Sequence, residues 1–148
     1  MAKKIEPSGK VGPLRLLAQD ADDLAVISAA MQDAVAKLGD ITYEPKARLL
    51  TIAFNRYCWE CGGGQRVRSG LQLGGVLNLQ ARKIRKGAPD AVIEILAMTF
   101  EPGEAPGGTI TISCAGGGDI RAVVECVDVV LADVSEPWRT PRTPRHAE

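Results

Sequence analysis

Ser69-Gly-Leu-Gln-Leu-Gly-Gly-Val-Leu-Asn-Leu-Gln-Ala-Arg82 is the stretch whose reading decides the fold. Leu71, Leu73, Leu77, Leu79 and Ala81 fall on odd positions, and Gln72, Asn78, Gln80 and Arg82 on even ones. Successive side chains of a strand point to opposite faces, so this alternation is that of a half-buried strand. Gly74-Gly75 interrupts it and marks a bend, a bulge or a close backbone approach.

The same period extends outward in both directions. Upstream, Ile41-Thr-Tyr43 and Arg48 to Tyr57 flank Glu44-Pro45-Lys46-Ala47, a hairpin turn, with Leu50, Ile52 and Phe54 on one face. Gly62-Gly63-Gly64 makes the next break. Downstream, Ala91 to Phe100 is apolar on both parities except at Glu94, which predicts a central strand covered on both sides or a subunit contact. Thr109 to Cys114 alternates, Gly116 to Asp119 turns, and Ile120 to Leu131 returns as one longer strand.

Only near the start does the period become helical. Asp20 is placed as an N-cap, with Asp23 in the capping-box position and Asp22 favourable to the helix dipole. Leu24, Ile27, Met31, Val35 and Leu38 then form one stripe ending at Gly39, a left-handed C-cap. Leu14 to Ala18 before it is a short strand. The expected fold is α+β: one amphipathic helix against a mainly antiparallel sheet of six to seven strands. Six strands at about 4.8 Å spacing are far wider than one helix of about 10 Å. The sheet is therefore expected to curl strongly around the helix as a half-barrel, bending hardest at the glycine pair, or to bury part of its face against another subunit.

The chain of 148 residues, 45% apolar and 24% charged, fits one soluble domain. Its expected limits are 14–138, between a flexible leader (1–13) and a flexible tail (139–148) that repeats Arg-Thr-Pro. Zero net charge argues against a generally cationic nucleic-acid or membrane-surface protein. No apolar run is long enough for a membrane helix, and the leader has no secretory core, so a cytoplasmic location is expected.

Cys58-Trp-Glu-Cys61 has the spacing of a redox pair or half a zinc site. A redox pair normally opens a helix, whereas this one runs into three glycines. Cys114 and Cys126, on one hairpin, would lie roughly 16 Å apart, too far to share a metal or a disulfide. Reduced thiols, with Cys114 and Cys126 as small buried apolar residues, are expected, and neither a metal nor a cofactor. The glycine runs carry no phosphate-binding signature and read as turns. The sole histidine, His146, sits in the tail, so histidine-based nucleophilic or metal catalysis is not expected. A hydrolase would need paired carboxylates such as Glu94 and Glu125, which the sequence does not bring together.

Charge is segregated along the chain. Seven cations and only Glu60 lie between Arg56 and Lys86, a net plus six, and residues 87–136 carry minus eight. If strand phase survives the glycines, Arg66, Arg68, Gln72, Asn78, Gln80 and Arg82 line one face. The plainer account is a solvated face whose charges pair with acidic neighbours. The functional account is a binding surface of Arg56, Trp59, Arg66, Arg68, Gln80 and Arg82 for an anionic small molecule or an acidic protein partner. A non-enzymatic binding or adaptor domain is thus the leading expectation, with a homo-oligomer or homodimer associating through its sheet as the alternative.

Pro13-Leu-Arg-Leu-Leu-Ala18, Ala53-Phe-Asn-Arg-Tyr-Cys-Trp-Glu60, Arg66-Val-Arg-Ser-Gly-Leu-Gln-Leu73 and Glu136-Pro-Trp138 resemble a family of small bacterial proteins known only as a domain of unknown function. The similarity spans nearly all of residues 13 to 138. Its members usually lack a cysteine at the position of Cys58. The resemblance implies a bacterial cytoplasmic protein and brings no activity, cofactor or catalytic residue with it.

Overall fold

The computed structural model of the chain describes residues 13–84 and 87–139. The leader to Gly12, Arg85-Lys86 and the tail from Thr140 lie outside the described residues. The elements are β1 (Arg15–Ala18), α1 (Ala21–Met31), β2 (Ala34–Lys37), β3 (Ile41–Glu44), β4 (Leu49–Tyr57), β5 (Gln65–Leu73), β6 (Val76–Arg82), β7 (Val92–Pro102), β8 (Gly108–Cys114), β9 (Asp119–Val124), β10 (Val129–Asp133) and β11 (Trp138–Arg139). One sheet runs β1-β10-β5-β4-β2-β7-β8-β9-β6, with β3 beside β4 and β11 beside β5. The α+β class holds, with one helix and an antiparallel sheet among the described residues. The sheet has eleven strands rather than six or seven, and it does not describe a clear half-barrel.

Two of the extra strands arise where single expected strands divide; of the others, β2 takes the end of the expected helix and β11 pairs beside β5. The stretch 69–82 splits at Gly74-Gly75 into β5 and β6, and 120–131 splits at 125–128 into β9 and β10. The two breaks face each other. Leu73 pairs with Val129 before the bend and Val76 with Val124 after it. Between them, Gly74 N–H donates to the Asp128 carbonyl and Glu125 N–H to that of Gly75. Two long antiparallel segments thus turn a corner together. Gly75 has φ +67°, a conformation that favours glycine, while a Cβ on Gly74 would meet the movable carboxylate of exposed Asp128 at 2.5 Å, so Gly75 is the residue the corner needs. Past it, the Leu77 position falls in a register shift and its side chain is exposed. The alternation read through 69–82 therefore does not make one continuous face.

The helix begins as expected: Asp20 Oδ1 accepts from Asp23 N–H at 2.8 Å. It stops at Met31, not Gly39. Asp33 takes a left-handed φ of 67°, and Ala34–Lys37 then pairs with β7 and β4. Ala34-Val-Ala-Lys-Leu38 suits either period, and strand pairing on two sides outweighs the local preference. Leu24, Ile27 and Met31 are buried from α1, which packs mainly on β7 and β1.

β7 is central, between β2 and β8. It is not covered on both faces, for Val92 and Leu96 are exposed while Ile95 and Met98 are buried. A register shift between Ile95 and Ala97 leaves Leu96 on the outside. Beyond the last β2 pair the helix takes over the edge, and Ser28 Oγ accepts from Met98 N–H at 2.8 Å.

Candidate functional site

Leu50, Ile52 and Phe54 form a buried row on β4, and Arg56 continues it. Its side chain is fully buried, so Arg56 does not belong to an exposed basic face. Nε and Nη2 meet Asp133 at 2.9 and 2.8 Å, and Nη1 and Nη2 meet Glu60 at 3.0 and 2.6 Å. Nη1 also donates to the Tyr57 carbonyl. Asp133 further accepts from Ser69 Oγ at 2.7 Å and from Leu14 N–H at 2.8 Å. One guanidinium thus ties together β4, β5, β10, the segment before β1 and the turn at 59–61.

Each member's charge is set by that contest. Burial works against the Arg56 charge, but its bonds to Asp133 and Glu60 prevail and raise its pKa. Burial likewise pushes the Asp133 carboxyl up, and the donors Arg56, Leu14 N–H and Ser69 bring it below its ordinary value. Glu60 is lowered in the same way, burial opposing and Arg56 prevailing. The arrangement is a satisfied structural clamp.

On the opposite face, Tyr57, Arg66 and Trp138 stand side by side on β4, β5 and β11. Directly paired residues share a face, so these three form one row. The Arg66 guanidinium lies 5.9 Å from the Tyr57 ring centroid, a cation–π distance. Its Nη1 makes long contacts of 3.4 and 3.5 Å to the Asn55 and Asp33 carbonyls. Trp59 meets Tyr57 edge-on, with ring centroids 4.5 Å apart. Trp59 and Trp138 each keep about two-fifths of their surface exposed, at 41% and 40%. Tyr57 Oη accepts from Gly64 N–H at 2.8 Å, which ties Gly64 to the tip of its side chain.

The six predicted residues therefore divide. Trp59, Arg66 and Arg68 come together where β4 ends and β5 begins, with Arg56 on the opposite face. Arg68 reaches Asp40 at 3.0 Å and Asn55 at 3.1 Å. Gln80 and Arg82 lie on β6, at the far end of the strand order. There Arg82 pairs across the ladder with Asp119, at 2.7 and 3.2 Å, and holds the Asp119 carboxyl below its ordinary value.

The reduced-thiol expectation fails at one pair. Cys58 and Cys61 are joined in a disulfide with Cα atoms 5.3 Å apart. Cys114 is free and buried, and Cys126, beyond the end of β9, is free but only half-buried. The disulfide closes the 59–61 turn, whose Trp59 and Glu60 also border an apolar cleft of about 390 Å³ with Leu14, Leu16, Val26, Ala29 and Ala30. Among the described residues no group of three or more His, Cys, Asp or Glu is placed to hold a metal ion. Glu94 and Glu125 line different clefts, and Glu125 pairs with Arg48.

Sequence reasoning missed Asp133, Ser69, Tyr57 and Trp138. Parity alone carried one signal, because Arg56 is in phase with Leu50, Ile52 and Phe54. The partnership of Asp133 with a residue 77 positions earlier had no local sign.

Compared with known proteins, the chain belongs to the family described as protein of unknown function DUF2948, whose model matches residues 14–146. No curated protein matches it. No solved structure matches it.

Proposed function

We propose that this member of an unknown-function family is a binding domain that takes an acidic segment of a protein partner at the Arg66 corner. The observation that carries the reading is the state of Arg66. Arg56, Arg68 and Arg82 each face a carboxylate, whereas Arg66 forms no ion pair among the described residues. Its charge is held over Tyr57 beside the exposed Trp138. A guanidinium in that setting can form a forked pair with a carboxylate, and the tryptophans supply apolar contact on either side. Such aromatic and arginine side chains are those that dominate binding energy at protein interfaces.

The test uses a fluorescent peptide of alternating Glu and Gly, a Gln counterpart and inorganic phosphate. The Glu peptide should bind and the Gln peptide should not. Arg66→Ala should weaken binding about tenfold or more, the equivalent of about 1.4 kcal/mol or above. Arg82→Ala should leave affinity unchanged. Equal binding by the wild type and Arg66→Ala overturns the reading. Competition by phosphate at matched ionic strength would replace the acidic partner with a small anion.

A second reading, self-association through the outer face of β7, is favoured by Val92 and Leu96. They are 58% and 44% exposed on a central strand.

A further inference from the structure

The Trp59–Glu60 turn holds two contacts on opposite sides of the end of β4. Glu60 binds the buried Arg56, and Trp59 stands edge-on to Tyr57 beside Arg66. The Cys58–Cys61 bond closes the chain immediately around these two residues. A disulfide gains stability from the unfolded-state loop it closes, and that gain grows with loop length. With a sequence separation of three, this bond gains less by that route than one that closes a long loop. Its effect is local, on the turn.

We propose that Cys58–Cys61 is a thiol-exchangeable clasp whose opening releases Trp59 and Glu60 and weakens the Arg66 corner. The two sulfurs are unequal. Cys58 is buried at 1% exposure, and Cys61 is partly exposed, so an external thiolate reaches Cys61. Three glycines lie on the same side. Gly62, Gly63 and Gly64 follow with φ of 89°, 106° and 71°, conformations that glycine adopts without steric cost. Cys58 stays anchored, its N–H donating to the Gln65 carbonyl at 2.8 Å. Opening the bond leaves the Cys61 end held, among the described residues, only by its N–H to the Cys58 carbonyl at 3.1 Å and by Gln65 Nε2 on its own carbonyl at 3.2 Å, while the strand end stays in place.

The co-reactant is a low-molecular-weight thiol. Its thiolate attacks Cys61 Sγ, forming a mixed disulfide and expelling the Cys58 thiolate, which takes a proton from solvent. A second thiolate attacks the non-protein sulfur of the mixed disulfide, expelling the Cys61 thiolate, which is protonated in turn. Two protein thiols and one small disulfide result, with two electrons passing to the protein.

The coupling to ligand capture rests on the binding reading above; the exchange itself does not. The full chain carrying Trp138→Phe, which leaves Trp59 as the only tryptophan, is titrated between oxidised and reduced glutathione. Trp59 emission and mass-tagged thiols are followed together. The expected result is simultaneous appearance of thiols at Cys58 and Cys61, with Trp59 emission shifting along the same curve. Cys58→Ser should carry one glutathione on Cys61 and show emission near the reduced end point. Unchanged emission overturns the clasp, as does a bond that glutathione opens only after unfolding.

Affinity for the Glu peptide is read on the unaltered chain, and the reduced form should bind about tenfold more weakly. Equal affinity in both states overturns the coupling. If neither state binds while the emission still shifts, the binding reading falls and the clasp is upheld.

Discussion

At the scale of single residues, burial and partnership separate arginines that look alike in sequence. Arg56 is enclosed with two carboxylates, and breaking a buried pair from one side costs about 3–5 kcal/mol. Arg56→Met should therefore destabilise the chain by about that amount in urea unfolding at pH 7, and Arg82→Met by clearly less, since the Arg82 side chain is more than half exposed. The pH dependence follows from Asp133 and Glu60, both held below their ordinary values. A depressed carboxyl stabilises above its unfolded pKa and loses that contribution as pH falls through its folded pKa. Unfolding measured from pH 7 down to pH 2 should thus show the gap between wild type and Arg56→Met narrowing below about pH 4. A gap constant over that range would deny the clamp its electrostatic role. The parity of the Leu50–Phe54 row made the burial of Arg56 legible. The carboxylates that meet it there come from Glu60 and a distant strand, which no local pattern shows.

At the scale of elements, a strand's neighbours decide where its pattern stops. Helix α1 and β2 share one apolar stripe in sequence, yet Asp33 breaks it and β7 captures the second half. The Ser28 hydroxyl then serves the β7 edge that β2 leaves open. Ser28→Ala should cost about 1–3 kcal/mol by leaving the Met98 N–H without its acceptor. Exchange of the Met98 amide with deuterium should accelerate in that variant and not in Ala29→Ser. The corner shared by Gly74-Gly75 and 125–128 is the other decisive junction. Gly75→Ala, forced to keep φ near +67°, should lose roughly 1–2 kcal/mol. A melting temperature unchanged by that substitution would mean that the corner tolerates another backbone path. The glycine pair announced a bend in the sequence. It gave no sign that the opposing segment bends with it, because that depends on which strand lies opposite.

At the scale of the whole molecule, the segregated charges meet as the chain folds. Arg56 faces Asp133 and Arg82 faces Asp119, so two cations of the middle segment are answered by the acidic segment, as is Arg48 just ahead of it by Glu125. Pairing with acidic residues therefore accounts for these cations, directly across a strand ladder only at Arg82 and Asp119, and Arg66 stands apart from it. The outer face of β7 adds a prediction at this scale. If two copies associate there, sedimentation velocity should show a dimer that Leu96→Glu abolishes and moderate salt does not, since that contact is apolar. A monomer at all concentrations removes that second reading.

The sequence by itself determined the class of the fold, the helix start at Asp20, the hairpin turn at 44–47 and the bend at Gly74-Gly75. Each rests on interactions within a few residues: alternation, a cap, a turn, a missing Cβ. Only the tertiary structure decided that the helical stripe ends at Met31 and that Arg56 is clamped while Arg66 is left facing outward. It also decided that Cys58 and Cys61 close the turn between them. These outcomes depend on which remote strand supplies a hydrogen-bonding edge or a carboxylate, and on which side chains the turned sheet shields from water.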